Sequence, residues 1–303
     1  MPAWPELTVA RDHETFAMLH LVSQMLGKLR VAHAPWSNHG WHVALHPTAA
    51  GLITAPMAAG DGRSFTLAID LCRDAVTLRV SDGALDEISL VGTTIADLHA
   101  GLVAMLDWHK LPSTFSPIPS EIADPVRFVD DIAPRAYDPD SALRLREALA
   151  LVVPICEQFR AGFIGKCSPV HLFWGAFDLA VTRFSGRVAP PHPGGIPGLP
   201  DRITREAYSH EVSSAGFWPG GVTEAEPMFY SYAYPEPPGF RAADPEVGRF
   251  DEGFGEFVLP YAEVRASPDP EAMLTTFLHN TYAAAAELAH WDRAALEREP
   301  VAP

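Results

Sequence analysis

Apolar residues return every three or four positions between Asp12 and Arg30, which is the spacing of one face of a helix. After Gly27-Lys28 the pattern changes to alternation of apolar and polar positions. This alternation predicts strands at 41–45, 65–71, 75–80 and 87–91. Thr94 begins a further amphipathic stretch, and we expect it to cap a helix that reaches about Trp108.

A proline-rich segment at 111–139 follows and predicts the connection between two halves of the chain. The second half repeats the order of the first, with a helix at 140–163 that ends before Gly165-Lys166. Strand-like runs follow at 170–184, 207–213, 228–234 and 256–260, and a last helix is expected at 270–288. The pattern therefore predicts an α+β fold.

The two halves, 1–137 and 138–303, share the order helix, Gly-Lys, several strands, helix. This order predicts two similar helix–antiparallel sheet–helix units and raises the possibility of an internal duplication. Few identities support the alignment, so chance resemblance stays an alternative. If the duplication is real, we expect the two sheets to pair or pack about a pseudo-twofold axis, with a pocket at their junction.

Long proline-rich loops distinguish the second half, because residues 185–260 hold 12 of the 29 prolines. Disorder is one interpretation of such a composition. The same stretch is rich in large aromatic residues, which favours ordered loops that cover the second sheet. These aromatic residues are Phe217, Trp218, Phe229, Tyr230, Tyr232 and Tyr234.

The charge balance narrows the classes of partner. A formal net charge of −16 argues against nucleic acid and against anionic membranes, because both require a basic surface. No apolar run is long enough to span a bilayer, and the start of the chain does not resemble a secretory signal. Three cysteines without paired spacing predict reduced thiols, so we expect a cytoplasmic protein that has a small-molecule ligand and possible homo-oligomers.

The standard catalytic motifs are absent, and dispersed polar residues of the second half remain as candidates. Lys166 lies beside Cys167 and is positioned to lower the pKa of that thiol, although a buried structural cysteine is the stronger alternative. If 170–184 is one strand, its alternation places His171 and Arg183 on one face. Arg183 then binds an anionic group or pairs internally with a carboxylate, and Trp174 and Asp178 lie on the opposite face.

Histidines supply the candidate metal ligands. His210 is expected to join His171 and His192 as nitrogen ligands of a divalent transition metal or as general bases. Glu211 follows His210 directly and is a further catalytic candidate, although adjacent strand residues point to opposite faces. Each strand histidine also has a purely structural alternative. A second cluster in the first half is weaker because Pro47 ends its strand; it consists of His39, His42 and His46.

Four segments carry a family likeness: GKCSPVHLFWGAFDLAVTRFSGR, APPHPGG, YSHEVSSAGFWPGG and YAYPEPPGF. Together they resemble the bacterial domain-of-unknown-function family 5996 over essentially the whole chain. The resemblance implies no established activity. Family members carry an arginine where this chain has Ala50, which weakens any anion site in the first half.

Three functional hypotheses follow. The first is a small-molecule enzyme, possibly metal-assisted, in which His171, His210, Glu211, Cys167 and Lys166 act in catalysis. Its ligand-binding residues are expected to be Arg183, Trp218, Tyr230, Trp174 and Asp178. The second is a non-catalytic protein that binds a small ligand in the same pocket. The third is a purely structural polar network. Because one straight strand separates His171 from Arg183 by about 40 Å, we expect a bend at Gly175 or near Gly186 if both serve one site.

Overall fold

One antiparallel sheet of twelve strands passes through both halves of the chain in the computed structural model, which describes residues 3–196 and 198–298. The strands are β1 (Leu45–Thr48), β2 (Gly51–Thr54), β3 (Met57–Ala58), β4 (Ser64–Asp70), β5 (Ala75–Val80), β6 (Leu85–Ser89), β7 (His171–Phe173), β8 (Asp178–Val188), β9 (His210–Trp218), β10 (Met228–Tyr234), β11 (Arg249–Asp251) and β12 (Glu256–Pro260). The described helices are α1 (Val9–His33), α2 (Ile95–Trp108), α3 (Pro139–Ala161), α4 (Asp201–Ala207), α5 (Tyr261–Ala266), α6 (Pro270–Leu288) and α7 (Arg293–Leu296). The predicted α+β class is confirmed.

The strand order is β11-β12-β10-β9-β8-β7-β1-β2-β4-β5-β6, with β3 beside β4. Strands β1 and β7 join the halves through the pair Leu45–Leu172, so the sheet is continuous across the predicted boundary at 137/138. None of the described helices is both long enough and apolar enough to cross a membrane.

The internal duplication is not confirmed. Strands of the first half follow one another in chain order from β1 outward, whereas in the second half β12 lies between β10 and β11. The two Gly-Lys pairs also occupy different places. Helix α1 continues through Gly27-Lys28 to His33, while Gly165-Lys166 lies beyond the end of α3. The shared order of elements therefore describes a general layout without equivalent strand positions.

The sheet has an apolar face that packs against helices. A row of paired residues crosses six strands on this face: Leu45, Leu172, Leu179, Phe217, Phe229 and Leu259. All six are buried in the core. Arg183 lies on the same face of β8 and contacts Phe159 of α3 and Tyr282 of α6, which places these helices on that side.

The opposite face of the second half is polar and has small residues at its centre. His171 pairs with Ala180, Ala180 with Gly216, and Gly216 with Tyr230. In the next row Thr182 pairs with Ser214 and their hydroxyls lie 2.9 Å apart.

The predicted strand at 170–184 is wrong in its middle. Residues 174–177 form a turn, closed by a hydrogen bond from the Phe177 N–H to the Phe173 carbonyl, and β7 and β8 form a hairpin. The turn interrupts the alternation, so His171 and Arg183 lie on opposite faces of the sheet. The expected bend at Gly175 is present, because Gly175 lies within this turn.

Helix α1 approaches this turn closely at Gly27. A Cβ atom added to Gly27 would lie 2.1 Å from Nε1 of Trp174, so no larger residue fits without moving the indole. Trp174 is itself fixed, because it is buried and its indole N–H donates to the Val43 carbonyl at 3.0 Å. This contact packs the first helix directly against the hairpin of the second half.

We predict that Gly27→Ala lowers the free energy of unfolding by about 2 kcal/mol, because overpacking of the fixed indole exceeds the gain in helix propensity. Gly101→Ala in α2 is the matched control. Its added Cβ would meet Ile88 at 3.5 Å, an ordinary contact, so this variant should gain up to about 1 kcal/mol. Urea denaturation measures both. Equal effects of the two substitutions would contradict the predicted clash.

Candidate functional site

A polar stripe on α1 holds the β7–β8 turn. His20, Gln24 and Lys28 follow one another at intervals of four residues and therefore lie on one side of the helix. The Gly175 carbonyl accepts hydrogen bonds from His20 Nε2 at 2.8 Å and from the Gln24 amide at 3.1 Å. Burial lowers the pKa of His20 to about 4, so its imidazole is neutral and donates through Nε2. The turn is thus fixed from the first half of the chain.

The same stripe fixes the segment between the halves. The Gln24 amide accepts from the Ser120 N–H at 2.8 Å and donates to the Ser120 carbonyl at 2.7 Å. Lys28 donates to the Ser120 hydroxyl at 2.6 Å. These bonds place Glu121 beside Gly175, where a Cβ atom would lie within 2 Å of the Glu121 carboxylate. The proline-rich connection therefore forms part of the site.

A recess lies on the polar face of the second half, over Ala180 and Gly216. Tyr230 extends across Gly216 and donates a hydrogen bond to the Asp178 carboxylate. Tyr208 and Tyr232 follow, with their hydroxyls 2.9 Å apart. At the other side the indole N–H of Trp218 donates to the Ala176 carbonyl in the turn at 2.9 Å. The recess is therefore walled by phenols, one indole and a carboxyl group.

Proline-rich segments form the rim of this recess. The ring of His192 stacks on Tyr208 with 4.8 Å between centroids. The Tyr234 hydroxyl donates to the Pro190 carbonyl at 2.9 Å. These contacts bring the loop after β8 against the polar face of the second half.

Three carboxyl groups of the recess have raised pKa values. Burial raises the pKa of Asp178 to about 6. Burial and the charge of Asp178 raise the pKa of Glu121 to about 7 and that of Glu256 to about 8, and Lys28 partly opposes the rise at Glu121. Asp178 and Glu256 keep accessible surface, and Glu121 is exposed although protein atoms surround its carboxyl group. Solvent therefore reaches carboxyl groups that bind protons near neutral pH.

A pocket of about 370 Å³ adjoins the recess on the side of Lys28. Its walls include Ser116, Ile118, Pro119 and Gly198. Lys28 thus lies between this pocket and Glu121. The volume is that of a small-ligand site.

The predicted histidine metal site is not assembled. His171 is fully buried and its Nδ1 is hydrogen-bonded to the Pro169 carbonyl at 2.8 Å, whereas His210 lies about 20 Å away along β9. His192 stacks on Tyr208 at the rim of the recess. In residues 3–196 and 198–298 no three His, Cys, Asp or Glu side chains form a group suited to a metal ion.

Arg183 does not line the recess. It is buried on the helix face, donates to the Phe159 carbonyl at the end of α3, and lies 3.5 Å from the centre of the Phe159 ring and 4.2 Å from that of Tyr282. Burial lowers its pKa to about 10. The side chain therefore satisfies a helix C-terminus between two aromatic rings, in place of the predicted anion clamp or carboxylate pair.

Three other predicted site residues have structural contacts. Burial raises the pKa of Cys167 to about 11, so its thiol stays protonated beside Lys166 at neutral pH. Glu211 forms an ion pair with Arg187 at 2.6 Å. Trp174 packs under α1. None of the three contacts the recess in the ways described above.

The first-half histidines separate in the structure. His39 contacts the second half, because its Nε2 lies 2.5 Å from Lys166 Nζ and its ring lies 6.0 Å from that of His210. His42 accepts a hydrogen bond from the Ser37 N–H at 3.3 Å. His46 is half-buried on β1 near His171.

Sequence reasoning found Asp178, Trp218 and Tyr230 but missed the remaining recess residues. The stripe on α1 was detectable, because polar residues at intervals of four interrupt an otherwise apolar helix. Glu121 and Glu256 carried no comparable signal, since each is a single acidic residue in a variable loop or at a strand end. The other missed residues are His20, Gln24, Lys28, Ser120, Tyr208 and Tyr232.

We predict that Asp178→Asn stabilises the protein at neutral pH. Because burial raises the pKa of Asp178 from 3.8 to about 6, its stabilising contribution is full below about pH 4 and is lost as the pH rises through about 6. Asparagine stays uncharged and still accepts from Tyr230. The gain in free energy of unfolding should reach up to about 3 kcal/mol near pH 8 and shrink towards pH 4.

Urea denaturation across this pH range measures the difference, and Asp244→Asn, an exposed turn residue that also keeps its acceptor, is the control. A gain that stays constant with pH, or one shared by the control, contradicts the raised pKa.

Comparison with known proteins gives a family without an activity. No curated protein and no solved structure matches the chain. The sequence model of one family matches residues 4–298, almost the entire chain. The fold and the recess described above therefore belong to a member of the family of unknown function DUF5996.

Proposed function

We propose that the protein is a small-molecule enzyme that carries out general acid–base catalysis in the recess on the polar face of the second half. One observation carries the proposal: Asp178, Glu121 and Glu256 share a solvent-accessible recess and have pKa values of about 6, 7 and 8. Groups that titrate near the working pH are the most effective general acids and bases. Raised carboxyl pKa values also cost stability, so they are concentrated at functional sites.

The pKa values divide the roles. Near neutral pH the Asp178 carboxylate is ionised and accepts from the Tyr230 hydroxyl, so it serves as the base. Glu256 holds its proton under the same conditions, because burial and the charges of Asp178 and Asp251 raise its pKa to about 8, and it serves as the acid. Glu121 is positioned to assist either group.

The walls define the substrate class. Phenol and indole rings offer flat surfaces for stacking, and their hydroxyls donate and accept hydrogen bonds. The acidic groups disfavour an anion in the recess, and the nearest basic group, Lys28, is bound to Ser120. We infer a small neutral or cationic substrate with hydroxyl or amine groups. The proposal includes no metal.

A non-catalytic binding protein is the second candidate. It is favoured by the continuous aromatic wall of Tyr208, Tyr230 and Tyr232, since such a wall binds rings or cations without chemistry. In this case a ligand cation would relieve the repulsion among the carboxyl groups. Turnover separates the two candidates.

We predict that the protein converts at least one compound of a small-molecule extract and that Asp178→Asn reduces its kcat/KM by about 10²-fold or more, as expected for loss of a general base. Mass spectrometry before and after incubation identifies the compound. Asp244→Asn should retain full activity, because this residue lies in an exposed turn. Depletion limited to one equivalent of protein, without product, indicates the binding protein instead.

We further predict a bell-shaped pH dependence of kcat/KM for that compound. The rate should rise through about pH 6 as Asp178 loses its proton and fall through about pH 8 as Glu256 loses its own. Glu256→Gln should remove most of the activity and abolish the alkaline limb of the residual rate. A flat profile between these limits would refute the assignment of acid and base.

A further inference from the structure

A second polar cluster lies at the other end of the same sheet face. Phe184, beside which it forms, is six residues from Asp178 on β8, or about 20 Å along the strand. The cluster consists of Lys166, His39 and His210. It is independent of the recess and of the function proposed for it.

The core of the cluster is a direct contact between an amine and an imidazole. Lys166 Nζ lies 2.5 Å from His39 Nε2, and His39 Nδ1 lies 2.9 Å from the Ala207 carbonyl. A carbonyl oxygen only accepts, so His39 Nδ1 carries the proton and Nε2 presents its lone pair to the amine. His39 is therefore oriented to accept a proton from Lys166.

The surroundings favour a reactive amine. Lys166 Nζ lies 5.5 Å from the ring centre of Trp41 and 5.0 Å from that of Phe184. No carboxylate among the described residues forms an ion pair with Lys166. Burial lowers the pKa of its amine, and burial is also the largest cause of the lowered pKa of His39. Lys166 remains exposed as a residue, so a small molecule can reach it.

We propose that Lys166 is a nucleophile that forms an imine with a small aldehyde, and that His39 is its general base. His39 Nε2 takes a proton from the Lys166 ammonium, and the neutral amine attacks the carbonyl carbon to form a C–N bond and a carbinolamine. The imidazolium returns its proton to the new hydroxyl, which leaves as water. The product is a protonated imine on Lys166, and His39 is again neutral.

The aromatic neighbours select the aldehyde. Trp41 and Phe184 form apolar walls beside the amine, and the nearby His210 ring adds a further flat surface, 6.0 Å from His39. A flat, uncharged aldehyde fits these walls better than a charged one. Benzaldehyde is therefore the probe.

The chain offers an internal standard for this reaction, because it contains three lysines: Lys28, Lys110 and Lys166. The full-length protein is incubated with benzaldehyde and sodium cyanoborohydride, which reduces an imine to a stable benzylamine. Peptide mass spectrometry then gives the rate at each lysine. We expect Lys166 to react about 10²-fold faster than the exposed Lys110, the usual contribution of a positioned general base.

His39→Asn tests the role of the base. Asparagine tolerates the left-handed backbone of His39, whose φ is 58°, but cannot reach the amine as a base. Trapping at Lys166 should fall about 10²-fold, to the rate of Lys110. His290→Asn is the matched control, because His290 is exposed and has a φ of 53°.

Equal rates at Lys166 and Lys110 in the unaltered protein overturn the proposal, and this comparison does not depend on the folding of a variant. If His39→Asn keeps the native circular dichroism spectrum and leaves the Lys166 rate unchanged, the proposed base is wrong. A loss shared by His290→Asn has the same consequence.

Discussion

The hydrogen bonds from α1 to the Gly175 carbonyl are the constraint on which the rest of the site depends. They tie the first helix of the chain to a turn more than 140 residues later. The turn determines where β8 begins, and Asp178 is the first residue of that strand. Because Gln24 also binds Ser120 on both sides of its backbone, the same helix places Glu121 opposite the turn. Two carboxyl groups from distant parts of the chain therefore meet through one helix face.

This arrangement has a cost that the fold carries at a defined place. Carboxyl groups with raised pKa values destabilise the folded protein at neutral pH, because the unfolded chain releases their protons more readily. The hydrogen bond from Tyr230 to Asp178 offsets part of this cost. The opposite face of the sheet contains no such conflict: its cross-strand row is apolar, and the buried Arg183 contacts a helix carbonyl and two rings. Stability and the candidate chemistry thus occupy opposite faces.

The sequence predicted the elements whose periodicity is unbroken. The bounds expected for the last helix, for 228–234 and for 256–260 agree with α6, β10 and β12. Thr94 caps α2 as predicted, with its hydroxyl accepting from the Asp97 N–H at 3.1 Å. The error at 170–184 has a physical cause, because the turn sequence Trp174-Gly175-Ala176-Phe177 is as apolar as the strands beside it. Its position is set by contacts with α1, which no local pattern contains.

The grouping of site residues failed for the same reason. Alternation within one strand is readable from sequence, but the hairpin reverses the chain and places His171 opposite Ala180. That reversal separates His171 from Arg183 and brings Asp178 near Tyr230. The long-range pairing of β1 with β7 similarly brings His39 to Lys166, two residues that the sequence assigned to different halves and different clusters.

The small residues at the centre of the polar face explain why a recess exists there. Side chains larger than Ala180 and Gly216 would fill the space between His171 and Tyr230, since the four occupy one paired row. At Gly216 the restriction is severe, because an added Cβ would meet the Leu179 carbonyl oxygen at 1.8 Å and the Tyr230 hydroxyl at 2.8 Å. The glycine lets Tyr230 lie flat across β9 and reach Asp178. The missing side chain thus creates the recess and also positions the phenol that is hydrogen-bonded to its central carboxylate.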